Sequence, residues 1–257
     1  MKVLLMLDGR SAVGGTPLIQ HNERMQDPLD EITRAVAKLT GKRKKTDADH
    51  IEIGHLEFLG GMYVNGNGPC IPGWNILRCL QDGAKQTKRG EDVLRGVSPL
   101  AEYADLMYEG DKERDPEKLW KAGGFVLRKG VGVAGRRVTR TRPIFFEWTA
   151  ALPVEVDPAI FDPDTLASIW TYAGKYRGIG DRRPVNGKFL GTATEWAIST
   201  DDGLARAASL LADAVRCGQI RDEDLRRLAR DGDPASLLAG GAKRAQRVTK
   251  KTAEIKG

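Results

Sequence analysis

A chain of 257 residues is long enough for one large domain with an appendage, and 40% hydrophobic with 30% charged residues implies a buried core under a well-solvated surface. The net charge of +6 favours a polyanionic partner, with its distribution counting for more than its sum. Three sparse cysteines (Cys70, Cys79 and Cys217) without metal-like spacing argue against a disulfide framework or a zinc site.

Met1-Lys-Val-Leu-Leu-Met-Leu-Asp8 is apolar for too few residues to be a signal peptide or a membrane span, and no later run reaches spanning length. The expectation is a soluble protein without a membrane partner, in the reducing cytoplasm of a bacterial cell. Residues 2–7 read as a buried strand, and Gly14-Gly15-Thr16-Pro17 forces a turn. After a polar loop, Asp27 and Pro28 have the pattern of an N-cap and first helical residue, with Leu29, Ile32, Val36 and Leu39 at helical spacing. Lys42, Arg43, Lys44 and Lys45 close that helix, where cations suit the C-terminal dipole. Thr46-Asp-Ala-Asp49 caps a second helix. Residues 62–64 are strand-like, Asn65-Gly-Asn-Gly68 is a hairpin turn, and a helix resumes from Trp74 to Ala84.

Residues 90–116 read as polar loop with one possible strand at 104–108. Residues 125–144 hold Arg128, Lys129, Arg136, Arg137, Arg140 and Arg142 and no acid. The glycines at 130, 132 and 135 suggest a mobile loop leading into an extended arm. Residues 145–156 alternate as a strand, 165–176 form a helix opened by Asp162-Pro-Asp164, and a last strand falls near 192–199. Beyond Thr200 come an Ala/Leu-rich amphipathic helix (201–217), a shorter helix (222–230) and a basic tail. The domains are therefore drawn at 1–199, 200–241 and 242–257, the last expected to be disordered. No repeat of fixed period is visible.

Three segments carry candidate chemistry. In residues 178–189, Gly178, Gly180 and Gly187 would permit positive φ and close backbone approach, amides would cradle phosphate, and Arg182, Arg183 and Lys188 would add charge. The same residues also suit an ordinary helix-to-strand turn with solvated arginines. It is not a dinucleotide fingerprint, in which the loop follows a strand and opens a helix. Ile71-Pro72-Gly73 makes a sharp entry into a helix bearing Arg78, or simply a helix start after a hairpin. An extended arm would put Arg136, Arg140 and Arg142 on one face, where like charges cost free energy unless a phosphate backbone neutralises them. The five tryptophans read as core, and Phe189 as core or as a stacking ring. Catalytic candidates reduce to Asp27 and His21, whose bland readings are helix capping and loop hydrogen bonding. His50 and His55 do not share a helix face, so no metal or cofactor is expected.

The order of these pieces resembles the RAMP superfamily, the RRM-like proteins that form the backbone of CRISPR effector complexes. The parallel runs from the N-terminal strand through Gly15-Thr16-Pro17-Leu18 and Ile71-Pro72-Gly73 with Arg78 to Gly178-Ile179-Gly180 and Gly187. The chain looks closer still to uncharacterised phage proteins sharing His21-Asn22, Lys42-Arg-Lys-Lys-Thr46, Glu57-Phe-Leu-Gly-Gly61, Arg140-Thr-Arg-Pro-Ile-Phe145 and Gly178-Ile-Gly-Asp181 with Arg183-Pro184. The resemblance covers residues 1–198. It implies an α+β, ferredoxin-like core with a β-hairpin or thumb-like insertion, RNA or single-stranded DNA along the basic face, and head-to-tail self-association or a larger ribonucleoprotein. The expectation is a non-enzymatic single-strand-binding protein of a phage or mobile element. Two alternatives stay open: a metal-dependent endoribonuclease using Asp27, and an assembly or regulatory subunit acting on a phage recombination or replication protein.

Overall fold

The computed structural model describes residues 1–110, 112–133, 135–196 and 201–217. In chain order the elements are β1 (Lys2–Gly9), β2 (Leu18–Ile19), α1 (Glu31–Thr40), α2 (Asp47–Gly61), β3 (Val64–Asn65), β4 (Gly68–Pro72), α3 (Gly73–Ala84), α4 (Gly90–Gly96), β5 (Val97–Pro99) and β6 (Tyr103–Asp105). There follow α5 (Pro116–Ala122), β7 (Val126–Val133), β8 (Arg136–Phe145), β9 (Trp148–Val156), α6 (Pro163–Tyr172), β10 (Leu190–Glu195) and α7 (Asp201–Arg216). The fold is α+β, and its strands pair antiparallel.

β1 is a continuous apolar run rather than an alternating one because both its faces are covered. It pairs with β9 on one side and β10 on the other, in a sheet of order β10-β1-β9-β5. Val3, Leu5 and Leu7 face the main core, with Ile76 and Leu80 of α3 and Leu166, Ile169 and Trp170 of α6. The Trp170 indole donates to the carbonyl of Met6 at 2.9 Å, so its one polar atom is satisfied. Leu4 and Met6 face the other way, into a second cluster with Ala151, Trp196 and Leu211, Ala212 and Val215 of α7. Burial of each leucine side chain is worth about 1.5–3 kcal/mol. α7 is fixed further by the buried Thr149 hydroxyl, which donates to the Ala212 carbonyl at 2.7 Å. Two smaller sheets flank this centre, β2-β8-β7 and β3-β4-β6.

Several expectations are corrected. α1 is capped by Asp30, which accepts from the amides of Ile32 and Thr33, whereas Asp27 closes the preceding 3-10 turn and accepts from Leu29. The helix begins where its apolar face first meets protein, and Leu29, 70% exposed, lies outside that face. The glycine-bearing stretch before the arginine arm is not a loop. It is strand β7, paired with β8 from Val126↔Pro143 to Val133↔Arg136. The supposed loop at 90–116 holds helix α4, and α5 follows it behind an Asp115-Pro116 cap. Seven residues are too few to display helical periodicity. The strand expected at 104–108 is β6 plus a single bridge, Met107↔Thr149. The strand expected at 145–156 divides at Phe146 and Glu147, where Glu147 takes a φ of 44°. α6 stops at Tyr172 and passes into a π turn, Ala173–Arg177. Residues 197–200, the helix at 222–230 and the basic tail lie outside the described residues. No helix among the described residues is long and apolar enough to cross a membrane.

Candidate functional site

The site begins at the end of β2. Gln20 is buried, with its amide committed at both ends: Nε2 donates to the Cys70 carbonyl at 2.7 Å and Oε1 accepts from the Tyr63 amide at 2.9 Å. Asn22 is fixed as well, its amide group donating to the Met62 carbonyl and its backbone N–H to that of Gly61. His21 is held between these two anchors. Its Nδ1 is buried and has no hydrogen-bond partner among the described residues. Burial, and then the charge of Arg142, push the imidazole below its ordinary value, with Asp181 opposing, so it is neutral at pH 7.

Two further segments close around His21. β4 turns directly into α3 at Pro72-Gly73, and Pro72 leaves the first turn of α3 without a side-chain cap. That turn carries the positive end of the helix dipole and faces a cavity of about 180 Å³. Leu18, Ile71 and Ile179 form its apolar wall, and Asn75, Arg78 and Asp181 stand on its polar side. The third segment is the glycine loop. Gly180, Asp181 and Arg183 line this cavity and also a groove of about 640 Å³ beside it. Lys85, Tyr176, Arg177 and Arg182 complete the groove wall.

Most of the loop's amides are committed within the protein. Gly178 donates to Ala173, Ile179 to Gly187, Asp181 to Ile19, Asn186 to Arg182 and Gly187 to Pro17. The amides of Arg182 and Lys188 donate to the side chains of Asp181 and Thr16. The glycines serve this packing: a Cβ on Gly180 would overlap the Ile19 carbonyl and one on Gly187 that of Ile179, both at positive φ. What the loop offers a ligand is side-chain charge, on Arg182 and Arg183, both exposed.

The base of the β7–β8 hairpin supplies more cations, already partnered. Arg140 donates to Glu57 at 2.6 Å, and the second oxygen of the same carboxylate accepts the Thr141 amide at 2.8 Å. Glu57 is 2% exposed. It takes the place of a strand at the edge of β8, where β2 has ended. Arg142 approaches Asp181 at 3.5 Å. The expected row of unneutralised charge is therefore corrected at 140 and 142, because the fold delivers acids from α2 and from the glycine loop. On the same hairpin, Arg128 and Lys129, which pair opposite Thr141 and Arg140, and Arg137, closer to the tip, are exposed and have no carboxylate partner among the described residues.

Among the other candidates, Arg78 lines the cavity and Lys188 packs beside Thr16. Lys42 pairs with Asp49 at 2.6 Å and Lys45 closes onto the Lys42 carbonyl, so both tie down the α1–α2 turn; Arg43 and Lys44 are exposed there. Asp27 lines neither cavity. Phe189 is core, packed on Trp170 at 4.9 Å. Trp74 is 42% exposed and Trp120 partly buried, whereas Trp148, Trp170 and Trp196 are buried. Among the described residues no cluster of His, Cys, Asp or Glu is placed to hold a metal ion.

Sequence reading missed Glu57 and Asp82. Asp82 collects Lys85 at 2.7 Å, Arg78 at 3.4 Å and Arg183 at 3.7 Å. Burial alone would raise its carboxyl, but the Lys85 hydrogen bond and the neighbouring cations outweigh that and hold it below its ordinary value. Asp82 sits four residues after Arg78 on α3, a helical pairing visible in the sequence. Tyr176, half exposed on the groove with Tyr172 stacked behind it at 4.7 Å, was also missed. No protein-family model matches the chain, and no curated protein sequence matches it.

Proposed function

We propose that the protein binds single-stranded RNA or DNA along the groove between the glycine loop and the end of α3, holding the strand rather than cleaving it. The observation that carries this reading is convergence. The end of β2, the start of α3 and the loop after α6, far apart in sequence, meet at the cavity, and the loop continues into the basic groove beside it. Its named cations outnumber Asp82 and Asp181, and Tyr176 offers an exposed ring on which a base can stack.

The sheet order supports a ferredoxin-like core. Taking β1, β5, β9 and β10 as first to fourth strands, the order is fourth-first-third-second, with α3 and α6 packed on one face. RRM domains stack bases on the opposite face of such a sheet. Here that face is covered by α7, which moves the binding path to the groove at the sheet's flank. Cleavage through Asp27 loses its geometric support, since that carboxylate caps a turn outside the groove.

Replacing Arg182 and Arg183 together by alanine is expected to weaken single-strand binding at moderate salt. Two lost phosphate contacts lower the log–log salt slope by about 1.4. A titration by fluorescence anisotropy, with thermal melting to verify the fold, measures it. Unchanged affinity and slope remove the loop from the binding surface.

A further inference from the structure

The cavity beside the groove has its own chemistry. An apolar cavity of about 150 Å³ accommodates benzene. At about 180 Å³ this one takes a single planar ring system and nothing the size of a base pair. Leu18, Ile71 and Ile179 suit the faces of such a ring. The polar groups suit its edge: the buried Nδ1 of His21 and the side chain of Asn75 have no hydrogen-bond partner among the described residues. Gln20, by contrast, is saturated and serves as wall.

We infer that one base, lifted out of a strand bound in the groove, is held in this cavity, and that the cavity favours a base carrying an exocyclic amino group. The inference rests on the strand-binding reading above. An uncharged ring fits better than a phosphate. Asp181 brings a negative charge into the cavity and His21 is neutral, while Arg78, with a side chain 61% exposed, and Arg183, at 40%, stand toward solvent. Gly180, Asp181 and Arg183 line both cavity and groove, so a strand can keep its phosphates outside while one base enters. The Asp181 carboxylate is an acceptor. Carboxylates recognise the amino group of cytosine, whereas uracil and thymine present a carbonyl at that position.

The experiment compares, on the full chain, labelled oligonucleotides of one length: oligo-C and oligo-U as RNA, oligo-C and oligo-T as DNA, and an abasic sugar–phosphate strand. In at least one of the two sugar series, oligo-C is expected to bind about tenfold tighter than its uracil or thymine counterpart. The abasic strand should bind more weakly than oligo-C, with a salt slope like the others. His21→Ala is expected to abolish the preference, and Asn75→Leu, at a half-buried position, to reduce it. Equal binding of all strands, abasic included, overturns the base pocket and leaves strand binding standing. No binding of any strand overturns strand binding itself and the pocket with it. A preference that survives in both variants overturns the assignment to this cavity.

Discussion

The glycine loop and the β7–β8 hairpin carry comparable arginine-rich sequences, yet the fold treats them in opposite ways. In the loop most amides bond inside the protein and the glycines allow close packing on β2, so the charge it offers is carried by side chains. In the hairpin the strands are fully paired and the side chains divide by position. Arg140 and Arg142 meet Glu57 and Asp181 and serve the fold, whereas Arg128 and Lys129, paired opposite Thr141 and Arg140, and Arg137 are exposed. Charge density in sequence therefore does not measure charge available to a ligand. That depends on which acids the topology brings within reach.

The sharpest break of this comparison is at Glu57. Glu57→Ala leaves the Thr141 amide and the half-buried Arg140 without their carboxylate, and is expected to cost about 3 kcal/mol of stability. Glu57→Gln keeps an acceptor for the amide and is expected to cost about 1 kcal/mol. Urea unfolding of the two variants separates charge from hydrogen bonding. Equal, near-zero costs would show that Arg140 is not anchored at all. Next comes the loop. Gly180→Ala must place a Cβ against the Ile19 carbonyl at a φ of 83°, with an expected cost of about 2 kcal/mol. A neutral result in the same assay would mean the loop does not pack on β2 as described.

Much of this architecture is legible in the sequence, for local reasons. The capping box at Thr46 and Asp49, the Asn65–Gly68 hairpin, the entry into α3 and the amphipathic α7 are each written in neighbouring residues. So are the pieces of the groove: residues 71–78, 178–187 and His21 were each marked by composition. What local pattern does not contain is partnership. Nothing near Arg140 in sequence points to Glu57, 83 residues earlier, and nothing near Asp181 points to Arg142. The positive-φ glycines are legible as glycines, but whether they admit a ligand or the protein's own backbone is settled only by packing. Asp27 has the local pattern of a cap for α1, yet it is Asp30 that accepts the first-turn amides.

The exposed cations of the hairpin sharpen the comparison from its other side. Neutralising Arg128, Lys129 and Arg137 to glutamine is expected to leave stability within about 0.5 kcal/mol, because no fold contact is lost. If the bound strand extends along the hairpin, the salt slope of single-strand binding drops by about 2. An unchanged slope would confine the strand to the groove and make these hairpin cations dispensable for binding.

The smallest expected effect lies at His21, where the two regions meet. Its pKa in the fold is below the ordinary 6.5, because burial and Arg142 disfavour the imidazolium. The unfolded chain has no such penalty, so below pH 6.5 it takes up a proton that the folded state resists. Stability then falls as pH drops from 6.5 toward the folded pKa and is flat above 6.5 on this account. Replacing His21 with glutamine removes that titration while His50 and His55 remain in both proteins. The variant should therefore show a flatter dependence of Tm on pH between 7 and 5 than the wild type. Parallel curves would mean that the imidazole reaches solvent when protonated, and that the neutral, buried state drawn here between Gln20 and Asn22 is not held.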